Sequence, residues 1–295
     1  MTANVAQISA ASRLFSSAVF KEMSKRGRSP LFSRLLTQTG FLDELDGAEP
    51  VASAFDTAFS VLRAVGHRDE YIYKAALTHK VLLGTHSLRT ASMLTEFRAG
   101  QCKADLVIFN GTATVYEIKS ERDSLARLAA QLNAYRKVFA KAYVIASEDH
   151  IQGVEEIAPN DVGILCLSRR YRITTVREAI DVPNRICPVS LFESLRTAEA
   201  VQILTNLNVP IPDVPNTRLH GALKALFAHL SPIAAHAEMV KVLKKSRDLM
   251  PLNALISELP QSLHAAALSI SIRRRDHQNL VAAVNTPISE AANWA

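Results

Sequence analysis

Two carboxylates and a lysine flank a turn signal in the middle of this sequence. Asp105 begins the apolar run 105–109, and a second apolar run ends in Glu117-Ile118-Lys119. Between the runs, Asn110-Gly111 is a strong hairpin signal. Carboxylate oxygens are the ligands that hard cations such as Mg²⁺ prefer, and a lysine beside the cation can orient a water or stabilise a phosphate oxygen. The spacing therefore predicts metal-assisted hydrolysis of a phosphodiester bond.

The length of the turn decides whether these side chains share a face of the sheet. A two-residue turn at Asn110-Gly111 sends Asp105 and Glu117 to opposite faces, because side chains alternate along a strand. A shared metal ion requires an odd loop, such as a three-residue turn with Gly111 in the left-handed conformation. The metal-site hypothesis thus predicts one specific turn, with Asp105 on the face of Glu117 and Lys119.

The surrounding pattern predicts helices and strands in the order of a three-layer α/β fold. A helix over 69–83 precedes the hairpin, and a helix that starts at Asp123 or Ser124 and runs to about Phe139 follows it. A short helix is expected near 151–158. The predicted strands are 92–98, 103–109, 112–119, 142–146 and 162–167, with an extended segment at 171–176.

At these residues the chain resembles the PD-(D/E)XK nuclease superfamily, whose signature is an Asp, a spacer and then (Asp/Glu)-x-Lys. Asp105 and Glu117-Ile118-Lys119 match that signature, while Ala104 stands where many members have Pro. The stretch Gln131-Leu-Asn-Ala-Tyr135 looks like the Gln-x-x-x-Tyr element of the RecB-like branch. The resemblance covers roughly residues 69–180 and extends to uncharacterised bacterial proteins. It implies a restriction-endonuclease-like core, a mixed sheet flanked by helices.

The resemblance also implies roles for individual residues. Asp105 and Glu117 would bind Mg²⁺ or Mn²⁺, with the backbone carbonyl of Ile118 as a third ligand. Lys119 would lie near the attacking water or stabilise the charge that develops on phosphorus. Glu96 on the preceding strand could complete the cation site, and Glu70 at the start of the helix before it competes for that role.

The helix after the hairpin carries three candidate substrate-binding residues. Arg127, Gln131 and Tyr135 are spaced by four and therefore share one helix face. They offer donors for phosphate oxygens and a ring for base stacking. The alternative is a polar face packed on the sheet, with Arg127 linked to Asp123 and Tyr135 filling core space.

Composition restricts the possible partners and compartment. The 295 residues carry a net charge of +6 and a sequence pI near 9.3, which favours polyanionic partners such as DNA. Three scattered cysteines indicate a reducing compartment. The sequence shows neither a membrane-spanning run nor a signal peptide, so a cytoplasmic protein is expected. Phosphate-cradling Gly-Lys-Ser/Thr loops and Gly-x-Ser-x-Gly elements are missing, so the sequence gives no support for a P-loop protein or a serine hydrolase.

Three regions are expected along the chain: a helical N-terminal region 1–68, the nuclease-like core 69–180 and a helical C-terminal domain 181–295. Predicted C-terminal helices follow at 190–207, 217–230, 232–246, 251–258 and 260–285, with the Pro-rich connector 208–216 after the first. Basic clusters at 21–28, 241–247 and 273–275 are either solvated helix surface or secondary contacts with nucleic acid.

The favoured function is a metal-dependent nuclease that acts on DNA. Its alternative is a catalytically inactive module of the same fold that binds nucleic acid or a protein partner. A protein-interaction role of the C-terminal helices, with the amphipathic helix 190–207 presenting its apolar face, is a third possibility.

Overall fold

The computed structural model of the chain describes residues 4–64 and 66–295. These residues divide into two compact units, one formed by the segments up to Val81 and from Leu249 onward, the other by 82–248. The expected boundary at 180 lies inside the second unit, because buried side chains from residues 186–243 belong to the core that covers the sheet. The first unit extends past the expected boundary at 68 to Val81. No helix in the described ranges is long and apolar enough to cross a membrane.

Five helices form the N-terminal part of the first unit. Ser29 and Gly40 bound the third helix, because the Ser29 hydroxyl accepts a hydrogen bond from the Phe32 amide (3.0 Å) and Gly40 ends the helix with a φ of 77°. A wider π turn, Thr78–Leu82, follows the fifth helix. The five are α1 (Val5–Leu14), α2 (Ser17–Arg26), α3 (Pro30–Thr39), α4 (Val51–Arg63) and α5 (Glu70–Leu77).

The second unit is built on a mixed sheet of six strands in sequence order. The third, fourth and fifth strands are parallel to one another, and the other neighbours pair antiparallel. All five predicted strands are present with bounds close to those expected, and the predicted extended segment at 171–176 is a sixth strand. They are β1 (Ser92–Ala99), β2 (Cys102–Asn110), β3 (Thr112–Lys119), β4 (Lys141–Ala146), β5 (Gly163–Leu167) and β6 (Ile173–Arg177).

Helices flank this sheet, and from Leu249 onward the chain belongs to the first unit again. The second unit contains α6 (Leu128–Tyr135), α7 (Ile151–Ile157), α8 (Pro188–Glu193), α9 (Thr197–Asn206), α10 (Asn216–Phe227) and α11 (Pro232–Ser246). The first unit ends with α12 (Asn253–Glu258), α13 (His264–Ser269), α14 (His277–Asn285) and α15 (Ile288–Ala291).

Three predicted helices have the wrong extent. The helix after the hairpin begins at Leu128 rather than at Asp123 or Ser124, because the Asp123 carboxylate accepts hydrogen bonds from the Ser120 amide (2.8 Å) and hydroxyl (2.6 Å) and closes a turn. The predicted helix 190–207 is two helices, since the Glu199 carboxylate caps the Arg196 amide (2.9 Å) and starts α9 there. The predicted helix 260–285 is likewise divided into α13 and α14.

One face of the sheet and helix α6 share an apolar core. Val107 and Val115, directly opposite each other on β2 and β3, are fully buried together with Leu132 of α6. Fully burying a side chain of this size stabilises the fold by about 1.5–3 kcal/mol. This packing fixes α6 over the ends of β2 and β3, where the candidate catalytic residues lie.

Candidate functional site

The hairpin has the odd turn that the metal-site hypothesis requires. Asn110 pairs with Thr112, so Gly111 alone connects the strands, and its φ is 71°. The same register pairs Leu106 with Tyr116 and therefore carries Asp105 to the position opposite Glu117. Directly opposed residues share a face, so the prediction of the turn is confirmed.

Asp105 reaches across to the backbone of β3. Its Oδ2 accepts a hydrogen bond of 2.7 Å from the Ile118 amide, and the residue is half-buried. The amide and carbonyl of one residue in a strand point to the same edge. The carbonyl of Ile118 is therefore directed to the same side as its amide, toward β2 and Asp105.

Glu117 and Lys119, two positions apart on β3 and therefore on the same face, form a buried ion pair. The Lys119 Nζ lies 2.8 Å from the Glu117 Oε1, and the two residues are 5% and 1% exposed. Charged groups this deeply buried are stable only when they are paired and fully hydrogen-bonded. The two residues pair with each other, and α6 supplies further hydrogen bonds to both.

Helix α6 supplies the remaining hydrogen bonds through Gln131 and Tyr135. The Gln131 amide accepts from the Lys119 Nζ (3.0 Å) with its oxygen and donates to the Glu117 Oε1 with its nitrogen. The Tyr135 hydroxyl lies 2.7 Å from the Glu117 Oε2 and 2.8 Å from the Lys103 carbonyl oxygen. A hydroxyl has one proton and can donate to only one of these acceptors at a time. Gln131, Tyr135, Glu117 and Lys119 are called the Glu117 network below.

The phenol of Tyr135 acts as a hydrogen-bond donor and not as a base. Burial, and after it the charge of Glu117, raises the pKa of Tyr135 well above its ordinary value of 10. The ring is 0% exposed and packs at 6.4 Å between centroids against Phe139. The expectation that this ring stacks on a base is not met, because no surface of it is accessible.

Glu96 lies beside Asp105 on β1, the strand that pairs with the edge of β2 opposite β3. It lies between the pairs Thr95–Leu106 and Phe97–Ala104, with a φ of 54° that interrupts the regular strand. Its side chain is exposed, and its carboxylate oxygen comes within 4.8 Å of one of Asp105. Glu70, the competing candidate, belongs to α5 of the first unit.

Arg127 is exposed at the N-terminus of α6, one turn before Gln131. The backbone amide of Gln131 donates to the backbone carbonyl of Arg127 (3.0 Å). The expected link between Arg127 and Asp123 does not form, because the Asp123 carboxylate bonds to Ser120 instead. Arg127 therefore directs its charge to solvent at the margin of the Glu117 network.

Two serines that follow β3 and β4 are not part of the site predicted from the sequence. Ser120 and Ser147 are each 3% exposed, and the Ser147 amide donates to the carbonyl oxygen of Lys119 (3.2 Å). The Ser147 hydroxyl is buried and has no hydrogen-bond partner among the described residues. Their place directly after two parallel strands is the signal that could have identified them.

The basic cluster 241–247 is partly structural. Arg247 makes two 2.8 Å hydrogen bonds to the carboxylate of Glu199 and lies 5.5 Å from the centroid of the Phe97 ring. Lys241 pairs with Glu238 at 2.6 Å. Arg247 therefore stabilises the second unit and is not free to contact a nucleic acid.

Comparison with known proteins gives a relative, a solved structure and a family. Protein cII of Enterobacteria phage P4 is 33% identical over 85 residues, which cover 29% of this chain and 31% of that protein. The chain thus matches about a third of the length of this curated relative. The solved structure of SPO1766, a protein of unknown function from Silicibacter pomeroyi, is 19% identical and aligns with 41% of this chain and 82% of its own, at a TM-score of 0.28. The model of the family bacteriophage P4 protein cII matches residues 63–250, more than half of the chain and the whole of the sheet. The chain belongs to the bacteriophage P4 protein cII family.

Proposed function

We propose that this chain is a divalent-cation-dependent nuclease that hydrolyses phosphodiester bonds in DNA, with a core of the PD-(D/E)XK type. The observation that carries the proposal is the single-residue turn at Gly111, which aligns Asp105 with Glu117 and Lys119 on one face at one end of the sheet. A turn with an even number of residues would have placed Asp105 on the opposite face of the sheet from Glu117 and Lys119. This alignment is what hydrolysis by two carboxylates and a lysine needs.

The donor set of the site fits a hard cation. The carboxylates of Asp105 and Glu117 and the carbonyl of Ile118 offer oxygen ligands, which suit Mg²⁺ and Mn²⁺ better than softer metals. Glu96 adds a further carboxylate beside Asp105. Such an ion would supply charge neutralisation on a phosphate oxygen and an acidified water.

The residues around this set have separable tasks. Lys119 would stabilise negative charge on the phosphate, and its ion pair with Glu117 and its bond to Gln131 hold the ammonium in place. Tyr135 stays protonated and orients the carboxylate of Glu117. Gln131 is a positioning residue, since both ends of its amide are used by Lys119 and Glu117.

One observation favours the alternative of an inactive module that binds nucleic acid or a protein partner. Glu117 is 1% exposed, and both of its carboxylate oxygens already accept hydrogen bonds. A cation can use Glu117 only by displacing one of these donors. The nuclease proposal therefore requires that the Glu117 network opens when metal and DNA bind.

The test is an incubation of the purified protein with linear, circular and single-stranded DNA and with RNA, each with Mg²⁺, with Mn²⁺ or with chelator. Asp105→Ala and Lys119→Ala are assayed in parallel. Asp213→Ala, an exposed acid of the Pro-rich connector, is the matched control.

Metal-dependent cleavage of DNA that both site variants lose and the control retains is the expected result. Binding of nucleic acid without cleavage, unchanged in both variants, would instead establish the inactive module. Cleavage that survives in Asp105→Ala would exclude this site as the catalytic centre.

A further inference from the structure

The hairpin between β5 and β6 has a fixed conformation that exposes three arginines. The Tyr171 amide donates to the Ser168 carbonyl (2.9 Å) and the Ser168 amide donates to the Arg172 carbonyl (2.9 Å). Tyr171 has a φ of 58°. This is a three-residue loop in which a type I turn is followed by a left-handed residue, a position where glycine is usual. A tyrosine is unfavourable there, and its buried side chain holds the turn against the protein.

Two of the arginines on this turn have no acidic partner. Arg169, Arg170 and Arg172 are all exposed, and Arg169 pairs with Glu148 at 3.3 Å. Within the described parts of the chain, Arg170 and Arg172 have no carboxylate oxygen within 4 Å of their guanidinium nitrogens. They present two uncompensated positive charges on a hydrogen-bonded turn.

The strand register places this turn at the same end of the sheet as the Glu117 network. Lys119 on β3 pairs with Ala146 on β4, and Ala146 pairs with Cys166 on β5. With neighbouring strands about 4.8 Å apart, Lys119 and Cys166 are roughly 10 Å apart, about three base steps of B-DNA. The arginines follow Cys166 by three to six residues and project past the end of the sheet.

The acidic residues of the loop between the Glu117 network and the β5–β6 turn do not repel a polyanion. The loop after β4 carries Glu148 and Asp149, both exposed. Arg169 neutralises Glu148 through its ion pair and through its amide, which donates to the carboxylate at 3.0 Å. Arg170 and Arg172 then outnumber Asp149.

We infer that the β5–β6 turn binds the sugar–phosphate backbone of nucleic acid, with Arg170 and Arg172 as phosphate contacts at the same end of the sheet as the Glu117 network. The inference deepens the proposed function, on which it rests for the identity of the ligand. Guanidinium groups bind phosphate oxygens through charge-assisted hydrogen bonds and carry no sequence preference when they contact the backbone. The turn would therefore hold DNA in register with the site without selecting a sequence.

The experiment measures binding of a fluorescent 25-base-pair DNA duplex in EDTA, where no cleavage competes, at several salt concentrations. The test variant is Arg170→Ser with Arg172→Ser. Arg89→Ser with Arg218→Ser removes the same charge from exposed arginines before β1 and on α10. Arg170→Lys with Arg172→Lys keeps the charge, and circular dichroism checks that each variant folds.

The slope of log K against log salt should become less steep by about 1.8 in the serine variant, since each phosphate contact contributes about 0.9. Affinity should fall about tenfold or more at 0.1 M salt. The lysine variant and the Arg89/Arg218 variant should keep the wild-type slope. An unchanged slope in the serine variant, an equal loss in the Arg89/Arg218 variant, or no binding by the wild type would overturn the inference. Arginine-dependent binding by a protein that never cleaves would end the nuclease proposal alone.

Discussion

Lys119 and Glu117 face the same side of β3 and are joined by a 2.8 Å ion pair that is almost closed to solvent. Removing one partner of such a pair leaves a buried charge without compensation, whereas removing both leaves none. The pair is therefore a stability element as well as a candidate catalytic one, and the two roles can be separated by measurement.

Lys119→Met should lower the free energy of unfolding by about 3–5 kcal/mol, the usual cost of breaking a buried pair. The double change Glu117→Gln with Lys119→Met should cost less than the sum of the two single changes, with a coupling of about 1–3 kcal/mol. Urea unfolding followed by circular dichroism measures each value. Lys224→Met is the control, because the exposed pair of Lys224 with Glu193 should contribute under about 1 kcal/mol. Equal losses in Lys119→Met and Lys224→Met would contradict the buried-pair account.

Tyr135→Phe removes the hydroxyl that contacts Glu117 and the Lys103 carbonyl. The hydroxyl donates to one of these two acceptors at a time, so its removal leaves one buried acceptor without a donor, and the free energy of unfolding should fall by about 1–3 kcal/mol. In an active enzyme, cleavage should slow while the dependence on metal concentration remains. Thermal unfolding and single-turnover cleavage provide the two readouts. No loss of stability would mean that the hydroxyl is solvated in solution.

Gly163→Ala should destabilise the sheet much more than Gly111→Ala. A Cβ at Gly163 would overlap a ring carbon of Tyr143. The Tyr143 ring is stacked on Tyr116 and its hydroxyl bonds to Glu178 at 2.6 Å, which hold the ring in place. We expect a loss of about 3 kcal/mol from this overpacking. At Gly111 the added atom meets nothing within 4 Å, and only the left-handed φ costs about 1–2 kcal/mol. Urea midpoints of the two variants compare the losses, and similar midpoints would contradict the packing at Gly163.

Acid should destabilise the first unit through two histidines. Burial, and after it the neighbouring His264, lowers the pKa of His79 from 6.5 to about 4, and burial also lowers the pKa of His264. Below pH 6.5 the unfolded chain binds protons that the folded chain does not bind until about pH 4. The stability that comes from keeping these two histidines neutral is therefore fully present above pH 6.5, and it is lost as the pH drops to about 4.

His79→Gln should flatten that decline, since a glutamine does not titrate. The melting temperature between pH 7 and 4 measures the effect, with His229→Gln at an exposed position as the control. If wild type and His79→Gln decline in parallel, His79 is not the titrating group.

The part of the site that local sequence specifies could be predicted. Asn110-Gly111 and the flanking apolar runs determine a hairpin, and the requirement that Asp105 share a face with Glu117 selected the turn with a left-handed Gly111. The i, i+4 spacing of Gln131 and Tyr135 also placed both on the face of α6 that meets the sheet.

The features that depend on distant residues could not be predicted. The Tyr135 hydroxyl meets Glu117 only because α6 packs on the sheet, so its burial and its lack of base-stacking surface have no local signal. The break before α9 is stabilised by Glu199, whose carboxylate also binds Arg247, 48 residues away in the sequence. Helix α6 starts later than predicted because the Asp123 carboxylate bonds to Ser120 instead of capping the helix.

Binding of Mn²⁺ by wild type, Asp105→Asn and the Asp213→Asn control, measured by isothermal titration, tests most directly whether the acids on β2 and β3 hold a cation. We expect saturable binding that Asp105→Asn weakens at least about tenfold and Asp213→Asn leaves unchanged. Mn²⁺ affinity that is the same in all three proteins would contradict it.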